Sequence, residues 1–158
     1  MIKFLKTGVS FGLTSATITT LGLMIGLYSS TNSKTVVLGG ILIIAIADAF
    51  SDALGIHLVE ESKNHRTEKE VWFSTLFTFL SKFIFTLTYA VPFLFCDIKT
   101  AILADVLWGY FLLSGLSFFI AKSRKENPAR IISEHLFIAT LVIILTYYTG
   151  IWIADILK

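Results

Sequence analysis

Five apolar runs occupy most of this chain, at residues 8–28, 35–59, 71–96, 101–121 and 132–156. Each is close to the ~20 residues that span a ~30 Å hydrocarbon core. Lipid offers no partner for backbone N–H and C=O groups, so runs of this kind cross as helices. The composition agrees: of 158 residues, 55% are hydrophobic and only 15% charged, against roughly 25% charged in a soluble domain. The expectation is an all-α integral membrane protein, a single membrane domain over 1–158 with five transmembrane helices. The runs leave no room for a soluble catalytic domain.

The start, MIKFLK, is like the basic region of a signal peptide. The apolar part that follows is too long for a cleaved leader, and no A-x-A site follows it. It reads as a retained helix. Basic residues set the expected orientation. Lys3, Lys6, Lys63, Arg66, Lys69, Lys122, Arg124, Lys125 and Arg130 fall on one side, and only Lys34, Lys99 and Lys158 on the other. The positive-inside rule then puts the N-terminus in the cytoplasm and the C-terminus outside. The net charge of +2, with no basic cluster interleaved with aromatics, argues against nucleic acid. One cysteine, Cys96, excludes an internal disulfide and reads as a packing residue.

Three charges inside the apolar runs are the main functional signal. Asp48 and Asp52 sit at i,i+4 in the second run, so both carboxylates leave one face of one helix. Lys82 lies in the third run. With a rise of 1.5 Å per residue, Asp48 is roughly 18 Å from Glu60, and Lys82 is roughly 16 Å in from Val71. The depths match. Ionisable groups at this depth cost at least ~2.5–3.5 kcal/mol on insertion scales and are functional by default. Two readings follow: a midmembrane cation site balanced by Lys82, or a structural ion pair.

Other candidates are weaker. His57, Glu60 and Glu61 cluster at the end of the second run. Imidazole with carboxylates suits Fe²⁺, Mn²⁺ or Zn²⁺, although a solvated helix end explains them equally well. The first run carries two G-x-x-x-G pairs, Gly8/Gly12 and Gly22/Gly26, which let helices approach closely. Ser10 and Thr14, with Ser51 of the second run, are expected to line a polar path. Pro92 is expected to kink the third run, Asp105 to face outside water, and Glu134 and His135 to sit at the cytoplasmic interface. Tyr147, Tyr148 and Trp152 read as an interfacial belt. No P-loop, G-x-S-x-G, H-E-x-x-H or dinucleotide fingerprint is present, and an enzyme is not expected.

Residues 8–13 (GVSFGL) resemble the start of the first helix in the vacuolar iron transporter family. Residues 47–58 (ADAFSDALGIHL), followed by Glu60, Glu61 and Ser62, look like its second helix. Residues 90–92 (AVP) and the basic loop with Pro128 also fit. The resemblance implies a five-helix protomer, a homodimer with a pore between its copies, and export of Fe²⁺ or Mn²⁺ from the cytosol with proton exchange. It implies no bound cofactor. There are departures. The family's helix-one Asp is replaced by Phe11. Its helix-two Met, Glu and Tyr align with Asp52, Ile56 and His57. The family's metal-binding insertion is reduced to residues 62–70.

The reading is therefore a divalent metal transporter. Asp48 and Asp52 form its cation site, Lys82 balances charge or couples protons, and His57, Glu60 and Glu61 gather ions. A homodimer in a prokaryotic plasma membrane is expected. The alternatives are a non-transporting packing or assembly protein of the same fold, or a transporter of another solute.

Overall fold

The computed structural model describes residues 2–157, with side chains from Thr7 onward. Among the described residues there are helices and no strands. The helices are α1 (Ile2–Thr31), α2 (Lys34–Glu61), α3 (Glu68–Thr88), α4 (Val91–Phe95), α5 (Ile98–Arg124) and α6 (Pro128–Ile156). With α3 and α4 taken as one broken span, five segments are long and apolar enough to cross a membrane. The all-helical, five-span architecture expected from the apolar runs is present. Lys3, Lys6 and Lys158, which entered the orientation argument, have side chains outside the described residues.

The helices overrun the apolar runs because their ends are capped by polar residues. Ser33 caps α2, its hydroxyl accepting from the Val36 N–H. Thr67 and Glu70 form a reciprocal capping box at α3. Asp97 accepts from the Lys99 and Thr100 N–H groups at α5. The Thr100 hydroxyl, then these backbone donors, hold the Asp97 carboxyl below its ordinary range. Asn127 caps α6, with Pro128 in the first turn, where its missing N–H costs nothing. Lys125 ends α5 in the left-handed conformation, φ 57°.

The third span breaks rather than bends. Its regular helix stops at Thr88, Tyr89 and Ala90 close tighter turns onto Thr86 and Leu87, and α4 restarts at Val91. Pro92 has no N–H to give the Thr88 carbonyl, and its ring crowds that position. The break brings the bulky Tyr89 side chain wholly inside the bundle.

Helix α1 is the hub, packing against α2, α3, α5 and α6. Its two glycine pairs serve different neighbours. A Cβ on Gly12 would come within 2.8 Å of the Thr78 carbonyl oxygen, and one on Gly8 within 2.9 Å of the Ser74 carbonyl oxygen. The first pair therefore seats α1 on the α3 backbone. Gly22 faces Val142 and Gly26 faces Thr146, both on α6. On α2, Ile46, Phe50, Leu54 and Leu58 recur at four-residue spacing and are exposed. An apolar stripe of this kind suits lipid or a partner helix.

The contacts separate the glycines by cost. Gly12→Val forces α1 off the α3 backbone and is expected to destabilise by about 1–3 kcal/mol, the usual range for overpacking. Gly26→Ala, with its nearest neighbour 3.6 Å away, is expected to be near neutral. Unfolding of purified protein in detergent measures both, and equal effects would contradict this packing.

Candidate functional site

Lys82 is fully buried and is among the largest fully buried side chains. Its ammonium contacts Asp48 Oδ2 at 2.6 Å and Asp52 Oδ2 at 2.7 Å. It also donates to Ser15 Oγ at 2.5 Å. A lysine ammonium has three donors, and here all three are used, one by α1 and two by α2. The matched depths inferred from sequence thus correspond to a direct contact. One lysine holds both aspartates, and the group carries one net negative charge with both acids ionised.

Each residue reaches this point for a local reason. Asp48 and Asp52 are one turn apart on α2 and lean the same way. Ser15 follows Gly8 and Gly12 at four- and three-residue steps, so it continues the α1 face that meets α3. Lys82 starts on α3 beside Gly12, whose added Cβ would also touch the Lys82 N–H. The close glycine contact is what lets a lysine side chain reach a serine on the neighbouring helix. Ser15 was visible in the sequence as one of many small polar residues. Its step from the glycine pair is the signal that singles it out.

The aspartates are less enclosed than the lysine, with side chains 28% and 18% exposed. Each has one oxygen that Lys82 does not use. Asp48 opens into a groove of about 450 Å³ between α1 and α2, lined also by Thr19, Leu23, Ile44, Ala47 and Ser51. Ser51 lines the same groove as Asp48. Ser10 does not: it lines a different groove, with Leu116, Ile120 and Arg124 on the α5 side. Thr14 is half-buried, and Phe11, at the position of the family's acid, is exposed. Thr19 takes the place on α1 that was expected for Ser10.

The three residues at the end of α2 do not converge. His57 Nδ1 meets Thr75 Oγ1 at 3.0 Å, and its ring packs edge-on against Trp72. Glu60 is buried and bridged by Lys63 at 2.5 Å and Arg66 at 2.9 Å, which ties the 62–67 connection to α2. Glu61 is exposed. Their i, i+3, i+4 spacing puts them on one helix face, but His57 turns to α3 and Glu60 to the 62–67 connection, while Glu61 points to the exterior. Among the described residues, no three His, Cys, Asp or Glu side chains come together as a metal-binding group.

Two further expectations change. His135 is not simply interfacial: Nδ1 lies 2.6 Å from Ser117 Oγ, joining α6 to α5, while Glu134 pairs with Arg130. Asp105 does not face outside water. It is fully buried, as are Ala101 and Gly109 one turn to either side. Because α5 begins at Ile98, Asp105 stands about 10 Å inside the helix end.

No family model matches this chain, and no curated protein matches it significantly.

The cluster makes a double prediction. Lys82→Met leaves two half-buried carboxylates facing each other and is expected to destabilise by about 2–3 kcal/mol, below the cost of breaking a fully buried pair. Asp48→Asn and Asp52→Asn added to Lys82→Met should restore most of that loss. A thermal melt series in detergent reads both steps. A triple variant no better than Lys82→Met would show that charge is not what the trio balances.

Proposed function

We propose that this protein moves a divalent metal cation, iron(II) or manganese(II), out of the cytosol, with Asp48 and Asp52 as its midmembrane site. The observation that carries this reading is the sharing of one lysine by two carboxylates, which leaves a net negative charge and one unused oxygen on each acid, that of Asp48 beside a groove that also holds the Thr19 and Ser51 hydroxyls. Release of one proton from Lys82 raises the charge of the trio from minus one to minus two, which suits a divalent ion. Lys82 is then the charge-balancing and proton-coupling group. Hard and borderline divalent ions take carboxylate and hydroxyl oxygens, and Ser51 and Thr19 add hydroxyls at the groove.

One chain supplies two carboxylates, too few to replace a hydration shell. A two-fold homodimer would present each ligand twice, and the exposed apolar stripe on α2 is compatible with a partner helix. The likeness of residues 8–13 and 47–58 to the vacuolar iron transporters supports both the dimer and the cargo. With Phe11 in place of the family's acid, Asp48 and Asp52 supply the charge from the next helix.

A second reading has its own observation. Lys82 is wholly enclosed and uses all three donors on Asp48, Asp52 and Ser15, which would lock α1, α2 and α3 together without any ion. On that reading the protein is a packing or assembly partner that does not transport.

Metal uptake into proteoliposomes separates the two. Wild-type protein should carry Fe²⁺ or Mn²⁺, and Asp52→Asn should lose at least tenfold of the flux while remaining folded. The absence of flux of either metal in folded wild-type protein would overturn the transport reading. So would full flux in both Asp48→Asn and Asp52→Asn.

A further inference from the structure

A second set of buried polar groups lies away from the Lys82 cluster. Asp105 is fully buried, and neither carboxyl oxygen has a hydrogen-bond partner. No cation pairs with it among the described residues. The Tyr89 hydroxyl, also fully buried, packs against the α5 backbone one turn from Asp105, where a Cβ on Gly109 would come within 2.9 Å of it. It makes no hydrogen bond. The Thr86 and Thr20 hydroxyls are buried and unpartnered too.

An isolated carboxylate in an apolar interior is costly enough that such a group takes up a proton or a cation instead. The surroundings of Asp105 contain no cation. Helix α1 brings no charged side chain among its described residues, and Tyr89 is the titratable neighbour from the α3–α4 break. The charged groups of α6 are distant or solvated: Glu134 and His135 have partners of their own, and Asp155 is exposed at the helix end. The Tyr89 hydroxyl, one turn away against the α5 backbone, is a group that can both accept an acid O–H and donate to a carbonyl oxygen. A proton also needs no added volume in a fully enclosed site.

We propose that Asp105, fully buried and without a partner, is a proton-binding site: its carboxyl is held as the neutral acid inside the bundle, with the Tyr89 hydroxyl one helical turn away. Lys82 and Thr86 lie one turn apart on the buried face of α3, and Tyr89 follows three residues later at its C-terminal cap. Lys82 and Tyr89 are thus about 10 Å apart along the third span, with the unpartnered Thr86 hydroxyl between them. The protein has two separate ionisable centres, one ion-paired and one proton-holding. This inference does not depend on metal being the cargo.

Infrared spectroscopy of the protein in lipid membranes tests it directly. Wild-type protein at neutral pH should show the carbonyl stretch of a protonated carboxylic acid, shifted in D₂O. That band should vanish in Asp105→Asn and move in Tyr89→Phe as the neighbouring hydroxyl is removed. If Asp105→Asn does not fold, Asp105→Glu should still shift the band. Absence of any protonated-acid band in wild type overturns the proposal. So does a band unmoved by every one of these substitutions, or one that appears only when Na⁺ and K⁺ are withdrawn, since the occupant would then be a metal cation.

Discussion

A single ammonium group, that of Lys82, touches three side chains on two other helices, and the arrangement of α1, α2 and α3 depends on it. Burying a lysine away from water is unfavourable unless its charge is matched and each N–H is satisfied. Here the matching is complete, with two carboxylates and one hydroxyl within 2.7 Å. The geometry tolerates little slack. Sliding α2 by one residue would turn Asp48 and Asp52 off the shared face. Separating α1 from α3 would take Ser15 out of reach. The small residues at Gly8 and Gly12 are therefore part of the electrostatic arrangement as well as the packing.

The same contact organises what the protein can do. It places negative charge at the middle of a span but leaves the carboxylates less buried than the lysine. The enclosed side of the cluster is structural, and the side toward Thr19 and Ser51 is open to a ligand. A site of that kind can serve both readings of function: a lock when closed, or an ion site when the lysine gives up its share. The end of α2 plays a different part. Glu60 holds Lys63 and Arg66 and so shapes the short connection to α3, while His57 faces Thr75 and Trp72 instead of the acids.

The break between α3 and α4 has a comparable local cause and a distant effect. A proline removes one backbone donor, the helix ends early, and Tyr89 turns inward against Gly109. That places a phenol hydroxyl in the core against α5, one turn from Asp105. Two polar centres thus lie inside the bundle, the Lys82 cluster and Asp105 of the next span, with Tyr89 two helical turns along the third span from Lys82. They are embedded differently, one with every donor used and the other with none of its carboxyl oxygens engaged.

Much of this architecture was legible in the sequence. Apolar run length determined five spans, because lipid leaves a backbone no alternative to the helix. The i,i+4 spacing of Asp48 and Asp52, with the matched depth of Lys82, determined that the three could meet, because helix rise converts residue number into depth. The glycine pairs announced close helix contacts but not which helix each would face. Only the tertiary structure decided that Ser15 completes the lysine's shell, that Ser10 turns toward α5, and that His57, Glu60 and Glu61 part company. Only it turned Asp105 inward. Those outcomes depend on how each helix is rotated about its own axis. Rotation is set by side-chain packing between segments far apart in the chain, and helical spacing within one segment carries no record of it.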